Sequence, residues 1–303
     1  MRAATEQKAN DLILQQGLPD TFVQGAESFL LPVADQINKL RNNGPPLLIG
    51  IQGTQGSGKS TSAEFLKLFL ENEYALRVAI CSIDDFYLSQ DERHELAAKI
   101  HPLLITRGVP GTHHVESINT TFQQFRAGQA LKLPQFDKAQ DNPKPSSEDL
   151  CTDDQLDVLI FEGWCVGIPE QSSEHLITAV NTLEREEDAD GSWRQFVNQQ
   201  LQSDYAALFK QLDLLMVLQA PSFASVFKWR QLQEQKLVAR LEQEGKSSEL
   251  TLTTPQLERF IQHYQRLTEH GLSSLESLAN FVIQLDEKHR FTALRQNLGK
   301  RST

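Results

Sequence analysis

The stretch Leu47-Leu-Ile-Gly-Ile-Gln-Gly-Thr-Gln-Gly-Ser-Gly-Lys-Ser-Thr61 decides the fold. It opens on an apolar run of strand length, passes through a glycine-rich turn, and leads into Ser60 to Leu70, where Phe65, Leu66, Phe69 and Leu70 share one helical stripe. Within it, Gly53, Gly58, Lys59 and Ser60 complete the spacing GxxxxGK[ST] in the strand-to-helix context that this pattern requires. Glycines let successive backbone N–H groups turn inward around a phosphate, and the helix starting near Lys59 presents its positive end to the same anion. Lys59 is expected to neutralise the β- and γ-phosphates and the Ser60 hydroxyl to ligate Mg2+.

Outward from this segment, short apolar runs recur at Arg77 to Ser82, Asp157 to Phe161, Asp213 to Leu218 and Asn280 to Leu285. Their hydrophobicity is continuous rather than alternating, which predicts strands covered on both faces, as in a parallel sheet. Helical spacing fills Ser192 to Leu212 and Ser222 to Leu241, and Thr254 with Pro255 starts a further helix ending near His270. The alternation predicts a three-layer α/β fold with a mainly parallel sheet. Residues 1–45 read as a helical N-terminal extension of two helices ending at Asn42, Asn43, Gly44, Pro45 and Pro46, ahead of one domain over 46–303. Gln140 to Asp154 is polar and broken by proline, Leu183 to Gly191 is densely acidic, and both read as surface loops. There is no internal repeat.

Composition narrows the function. The 303 residues carry 29 Lys and Arg against 40 Asp and Glu, a net charge of −11, which argues against a broad basic face for nucleic acid or an anionic membrane. At 39% hydrophobic and 23% charged, the chain is an ordinary folded globule. The longest apolar runs fall well short of the roughly 18 residues that span a bilayer, and the start MRAATEQKANDLILQQ lacks the features of a secretory signal. Cys81, Cys151 and Cys165 are odd in number and unpaired by motif, as expected of reduced thiols in the cytoplasm. The eight histidines show no metal-ligand spacing, so no zinc site is expected. Oligomeric state leaves no trace in the sequence.

Two acidic motifs follow strand ends. Ile80-Cys-Ser-Ile-Asp-Asp-Phe-Tyr87 places Asp84 and Asp85 after the second strand, where the loops of neighbouring parallel strands face one crevice. A carboxylate there is able to take the proton of an attacking hydroxyl or hold Mg2+ through water; the plain alternative is a pair of helix-capping acids. Glu162 follows Val158-Leu-Ile-Phe161 and precedes Gly163-Trp164, at the strand end where a metal-side carboxylate belongs, unless it simply terminates the strand.

Together GTQGSGKST, SIDDFY, RGVPGTHH and FEGW resemble the P-loop small-molecule kinases of the phosphoribulokinase, uridine kinase and pantothenate kinase superfamily. Within it the chain is most similar to the plant-type D-glycerate 3-kinases and their bacterial and fungal relatives, from about Leu47 to Asp286. The resemblance includes Lys132-Leu-Pro-Gln-Phe-Asp-Lys138 and Trp229-Arg-Gln-Leu-Gln-Glu234. It implies a Mg2+- and ATP-dependent kinase with a helical lid around 222–270, acting on a hydroxyl of a small acid, D-glycerate first. Gly53, Thr54, Gln55, Gly56, Ser57, Gly58, Lys59, Ser60 and Thr61 would hold ATP, with Ser60 and Glu162 on the metal. By the same resemblance Lys59 and Asp84 are catalytic, Asp84 as general base. Arg107 would pair with an acceptor carboxylate, the plain alternative being a loop salt bridge, and Asp85, Tyr87, Thr112, His113, Asp137 and Lys138 would line the acceptor pocket. Arg230, with Lys236 and Arg240, would bring cations over the phosphates, although Arg230 and Glu234 also form an ordinary i,i+4 pair.

Two departures keep the acceptor open. The family's THD is here Thr112-His113-His114, and its Gly-rich stretch ending in GDR is replaced by Ala139-Gln-Asp-Asn-Pro-Lys-Pro145. Another hydroxylated acid, a nucleoside, pantothenate or a phosphorylated metabolite therefore stays in view. So does a nucleotide-hydrolysing switch, although no NKxD segment for guanine follows the phosphate loop. A nucleic-acid module lacks the basic, aromatic surface it would need.

Overall fold

A computed structural model describes residues 1–42, 44–153, 155–243 and 252–297, with side chains at 237 and 239–243 left aside. Three helices come first: α1 (Ala3–Gln16), α2 (Thr21–Phe29) and α3 (Leu31–Asn42). The sequence reading expected two helices here. The continuous apolar run Phe29-Leu30-Leu31 hides the break, which is marked only by Pro32 in the first turn of α3, where its missing N–H is no loss. Strand β1 (Leu47–Gly53), helix α4 (Lys59–Tyr74) and strand β2 (Val78–Ser82) follow. A 3-10 turn over Ile83–Phe86 leads to α5 (Gln90–Lys99) and α6 (Val115–Arg126).

Next come four two-residue strands, β3 (Lys132–Leu133), β4 (Phe136–Asp137), β5 (Asn142–Pro143) and β6 (Leu150–Cys151), pairing β3 with β6 and β4 with β5. The stretch read as a loop over 140–154 thus holds two short strands. The main fold resumes with β7 (Val158–Gly163), α7 (Thr182–Glu187), α8 (Ser192–Gln200), α9 (Ala206–Phe209) and β8 (Leu214–Gln219). It closes with α10 (Phe223–Gln243), α11 (Thr254–Leu278), β9 (Phe281–Leu285) and β10 (Phe291–Gln296). A π-helical turn at Leu201–Tyr205 joins α8 to α9.

The main sheet has the order β10-β9-β8-β1-β7-β2, parallel except for the β10 edge, so the three-layer α/β expectation holds. β10 escaped the sequence reading because its partly exposed residues carry no sustained apolar run. Side chains on the strands alternate between two cores. Leu47, Ile49, Ile51, Val158, Ile160, Met216 and Ile283 face the helices α1 to α4. Leu48, Leu159, Phe161, Val217 and Val282 face the other layer, with Phe122, Trp164 and Tyr264. One adjacency differs from expectation: β2 is not the neighbour of β1, because β7 lies between them. Glu162 therefore stands opposite both Ile51 of β1 and Ser82 of β2. Among the described residues no helix is long and apolar enough to cross a membrane.

The acidic run 183–191 is not a solvated loop. Glu184 and Asp188 are fully buried. Glu184 receives Arg266 through Nε (2.8 Å) and Nη2 (2.6 Å), and Asp188 receives Arg194 Nη1 (2.8 Å) together with the backbone N–H of Trp193 (2.8 Å). Fork-shaped pairing offsets the cost of taking these charges out of water, and it binds α7 to α11 and α8 to the loop before it.

Candidate active site

At the end of β1 the chain turns through the glycine-rich loop, closed by the Ser57 N–H donating to the Thr54 carbonyl at 3.1 Å. Gly56 has φ +76°, and a Cβ on it would stand 2.8 Å from Cβ of Trp229, so only glycine fits between loop and α10. The hydroxyls of Thr54 and Ser57 are buried and lack hydrogen-bond partners. Lys59 and Ser60 begin α4, whose first N–H groups are free to face an anion.

Glu162, 4% exposed at the end of β7, meets both of them. Its Oε1 accepts from Ser60 Oγ at 2.8 Å, and its Oε2 lies 3.8 Å from Lys59 Nζ with no hydrogen bond. Burial pulls the Lys59 pKa down, but Glu162 and Asp84 outweigh it and leave the ammonium above its ordinary value. A buried carboxylate with an unengaged oxygen beside a hydroxyl is a hard-oxygen donor set, which suits Mg2+.

From β2, Ser82 Oγ caps the 3-10 turn by accepting from the Asp84 N–H at 3.3 Å. Asp84 Oδ1 accepts from the Tyr87 hydroxyl at 2.7 Å, and Oδ2 pairs with Lys138 Nζ at 2.8 Å. Burial would raise the pKa of Asp84, yet Lys138, Lys59 and these two hydrogen bonds hold it well below the carboxylate range. Lys59 and Asp84 lie close enough for each charge to favour the other, which puts the Asp84 carboxylate on the same side of the sheet as the glycine-rich loop. Asp85 turns aside to accept the Phe136 N–H at 3.1 Å, and burial pushes its pKa up to about 6.

Beyond Asp84, residues 86–88 pair with 112–114: Leu88 N donates to Thr112 O and His114 N to Phe86 O. Tyr87 stacks on His113 at 4.7 Å and meets the Phe136 edge at 5.3 Å. Gly111 N–H donates to the Tyr205 hydroxyl oxygen (3.0 Å), which leaves that hydroxyl to donate to His113 Nδ1 at 2.6 Å. Nε2 then carries the proton of a neutral ring, and burial holds the His113 pKa down to about 3. The π-helical turn aims Tyr205 at this point.

Arg107 is ion-paired with Asp141 and lies 5.5 Å over the Phe136 ring. Its carbonyl accepts from the Tyr264 hydroxyl at 2.9 Å, and Trp164 Nε1 donates to the Gly108 carbonyl at 2.9 Å. Gly108 has φ +126°, and a Cβ there would stand 2.4 Å from the Tyr264 oxygen.

The structure thus brings Lys59, Ser60, Glu162, Asp84, Tyr87 and Lys138 together, with Arg107 held close by through Tyr87 and Phe136. Two expected pocket residues also make bonds within their own loops. Thr112 is fully buried, accepting from Gly108 N–H and donating to Val109 O, so its hydroxyl closes its own loop. Asp137 accepts from the N–H groups of Ala139 and Gln140 and serves as a turn cap. Arg230 pairs with Glu234 at 2.8 Å and lies 5.8 Å over Phe260, one residue beyond the Trp229 that abuts Gly56. Lys236 is exposed, and the Arg240 side chain and residues 244–251 of the expected lid lie outside the described residues. Arg93, Asp141, Tyr205 and Tyr264 were missed; none follows a strand end or belongs to a motif.

No family model matches the chain. An uncharacterized kinase of Schizosaccharomyces pombe, mug58, is 35% identical over 232 residues, covering 73% of this chain and 79% of that protein. The chloroplastic D-glycerate 3-kinase of Arabidopsis thaliana is 29% identical over 215 residues, covering 68% of this chain but only 44% of that protein. A solved D-glycerate 3-kinase from Cryptococcus neoformans shares the fold, with TM-score 0.71 at 24% identity over 98% of this chain and 100% of that one.

Proposed function

Because the chain belongs to the P-loop kinases related to D-glycerate 3-kinase, and is an ATP-dependent kinase, we propose that it transfers the γ-phosphate of ATP to a hydroxyl of D-glycerate. The observation that carries this reading is that Lys59 meets Glu162 on β7, Ser82 of β2 stands opposite that same Glu162, and Asp84 follows two residues later with Lys138 on it and Arg107 beyond Phe136. In this reading Gly53 to Thr61 cradle the triphosphate, and the unpartnered hydroxyls of Thr54 and Ser57 find acceptors there. Ser60 and Glu162 hold Mg2+, which when bound neutralises charge on the β- and γ-phosphates. Lys59 adds a fixed cation on the same side.

Asp84 takes the acceptor's proton. It is ionised at any working pH, and its weak basicity is no obstacle, since a loose phosphoryl-transfer transition state asks the protein mainly for alignment and charge. Each of its oxygens accepts one hydrogen bond and keeps a second lone pair, so the acceptor hydroxyl joins these partners or displaces one of them. Lys138, 59% exposed, is the one that re-solvates easily. Arg107 orients the acceptor carboxylate, Tyr87 and His113 wall the pocket, and Arg230 lies in a lid over 222–270 that closes on the phosphates. Residues 1–45 act as an extension of a kinase domain over 46–303. The three free thiols support a reducing, cytoplasmic setting.

A coupled assay of ADP release across D-glycerate, other hydroxy acids, nucleosides and pantothenate tests the assignment. D-glycerate is expected to give the highest kcat/KM, and a higher value for any other acceptor removes it as the substrate.

A further inference from the structure

Arg93 is out of place by every local rule. It sits in the polar helix α5, yet its side chain is 1% exposed, and its Nε and Nη1 are buried without hydrogen-bond partners. A guanidinium brings five N–H donors, and burial without acceptors is unfavourable for each. Only Nη2 is engaged, by one carboxylate oxygen and the carbonyl of Asp141. The second oxygen of that carboxylate is held by Nη1 of Arg107. One carboxylate therefore bridges two arginines, and the buried one keeps donors in reserve.

Asp141 lies in the hairpin between β4 and β5 at φ +54°, a conformation that aspartate adopts under some strain. The same hairpin reaches the catalytic pocket through Lys138 on Asp84 and the Phe136 N–H on Asp85. An anion arriving at the two arginines would thus loosen the segment that occupies Asp84.

We propose that Arg93 and Arg107 form a carboxylate subsite for the acceptor, and that Asp141 is its internal occupant, exchanged for the carboxylate of a hydroxy acid as the acceptor binds. The inference rests on the acceptor reading above and adds to it a second recognising arginine and a built-in competitor. A side chain on a short loop competes at an effective concentration in the mM range. Apparent acceptor affinity falls with the fraction of molecules in which Asp141 is seated. The exchange also selects: a neutral polyol cannot replace Asp141, since its departure would leave two guanidinium groups facing no anion. The planar fork of each arginine matches a carboxylate.

The test compares wild type, Asp141→Asn, Asp141→Gly, Arg93→Gln and the Asp141→Asn/Arg93→Gln double variant. Binding is measured by calorimetry with D-glycerate, other hydroxy acids, glycerol and glycerol phosphate, alongside steady-state kinetics. Asp141→Gly removes any backbone strain at φ +54°, which glycine adopts freely, and the Tm of each variant reads the cost of leaving Arg93 unpaired. Both Asp141 variants are expected to bind the acid about three- to tenfold tighter with the KM for ATP unchanged. Arg93→Gln is expected to weaken binding about tenfold and to cancel the gain in the double variant. Equal or weaker acid binding by the Asp141 variants, with their Tm intact, overturns the proposal and makes Asp141 a structural tie. If another hydroxy acid replaces D-glycerate as substrate and shows the gain, the subsite stands and only the D-glycerate assignment falls. Turnover confined to neutral acceptors, or a larger gain for glycerol phosphate than for any acid, removes the subsite and leaves the kinase. No acid binding in any variant removes both.

Discussion

At the phosphate end of the pocket every working group hangs from the main sheet: the loop leaves β1, Glu162 ends β7, and Lys59 and Ser60 open α4. In the proposed reading the acceptor end sits on a 3-10 turn, a 107–114 loop and a hairpin of two-residue strands, tied to one another and, through Tyr205, Tyr264 and Trp164, to the layer behind. Strand-borne groups cannot drift without disturbing two cores, whereas loop-borne groups are re-aimed by exchanging a few side-chain contacts. Under the proposed function, the first end fixes the chemistry and the second is where the acceptor is chosen.

The sharpest way to break this contrast is at Lys59. Lys59→Met is expected to lower kcat/KM about 10³-fold through lost charge stabilisation, measured in the coupled assay with Tm as the check on folding. Asp84→Asn comes next, with kcat down about 10²-fold or more and the KM for ATP little changed. Retention of acceptor transfer by this variant would move the base elsewhere, and unchanged ATP hydrolysis without transfer would favour a switch. Arg107→Lys keeps the charge but loses the fork, so the acceptor KM is expected to rise about tenfold while the KM for ATP stays put. An equal rise in both would mean that the two ends are not separable.

The smallest effect is a pH slope. His113 is neutral down to about pH 3 in the fold but binds a proton near 6.5 when unfolded, so between these values the unfolded chain holds the extra proton. This site's contribution to stability is full above pH 6.5 and is lost progressively below it. His113→Gln is expected to flatten the stability profile between pH 4 and 6 by up to one proton, read from denaturant midpoints. An unchanged slope would place the imidazole in contact with water.

The same contrast governs what could be read from sequence. The sheet was legible because strands buried on both faces carry unbroken apolar runs, and Lys59, Asp84 and Glu162 were legible because each follows a strand end within a local pattern. The insertion of β7 between β1 and β2 was not, since strand order is set by crossover connections and not by the strands' own residues. Arg93 was invisible because its helix has no apolar stripe to betray a buried face. Tyr205 and Tyr264 act on residues 94 and 157 positions away, beyond the reach of any motif. The acidic run misled for the opposite reason: its composition is that of a solvated loop, while its arginine partners lie on other helices.

Those buried ion pairs reach further than stability. Helix α11 carries Arg266, locked to Glu184, and two residues earlier Tyr264, whose hydroxyl steadies the backbone of Arg107. A stretch that resembles dispensable decoration is thus the footing of Arg107, the residue proposed to hold the acceptor. An engineer who neutralised residues 183–191 to improve solubility would be retuning substrate choice from the far side of a helix.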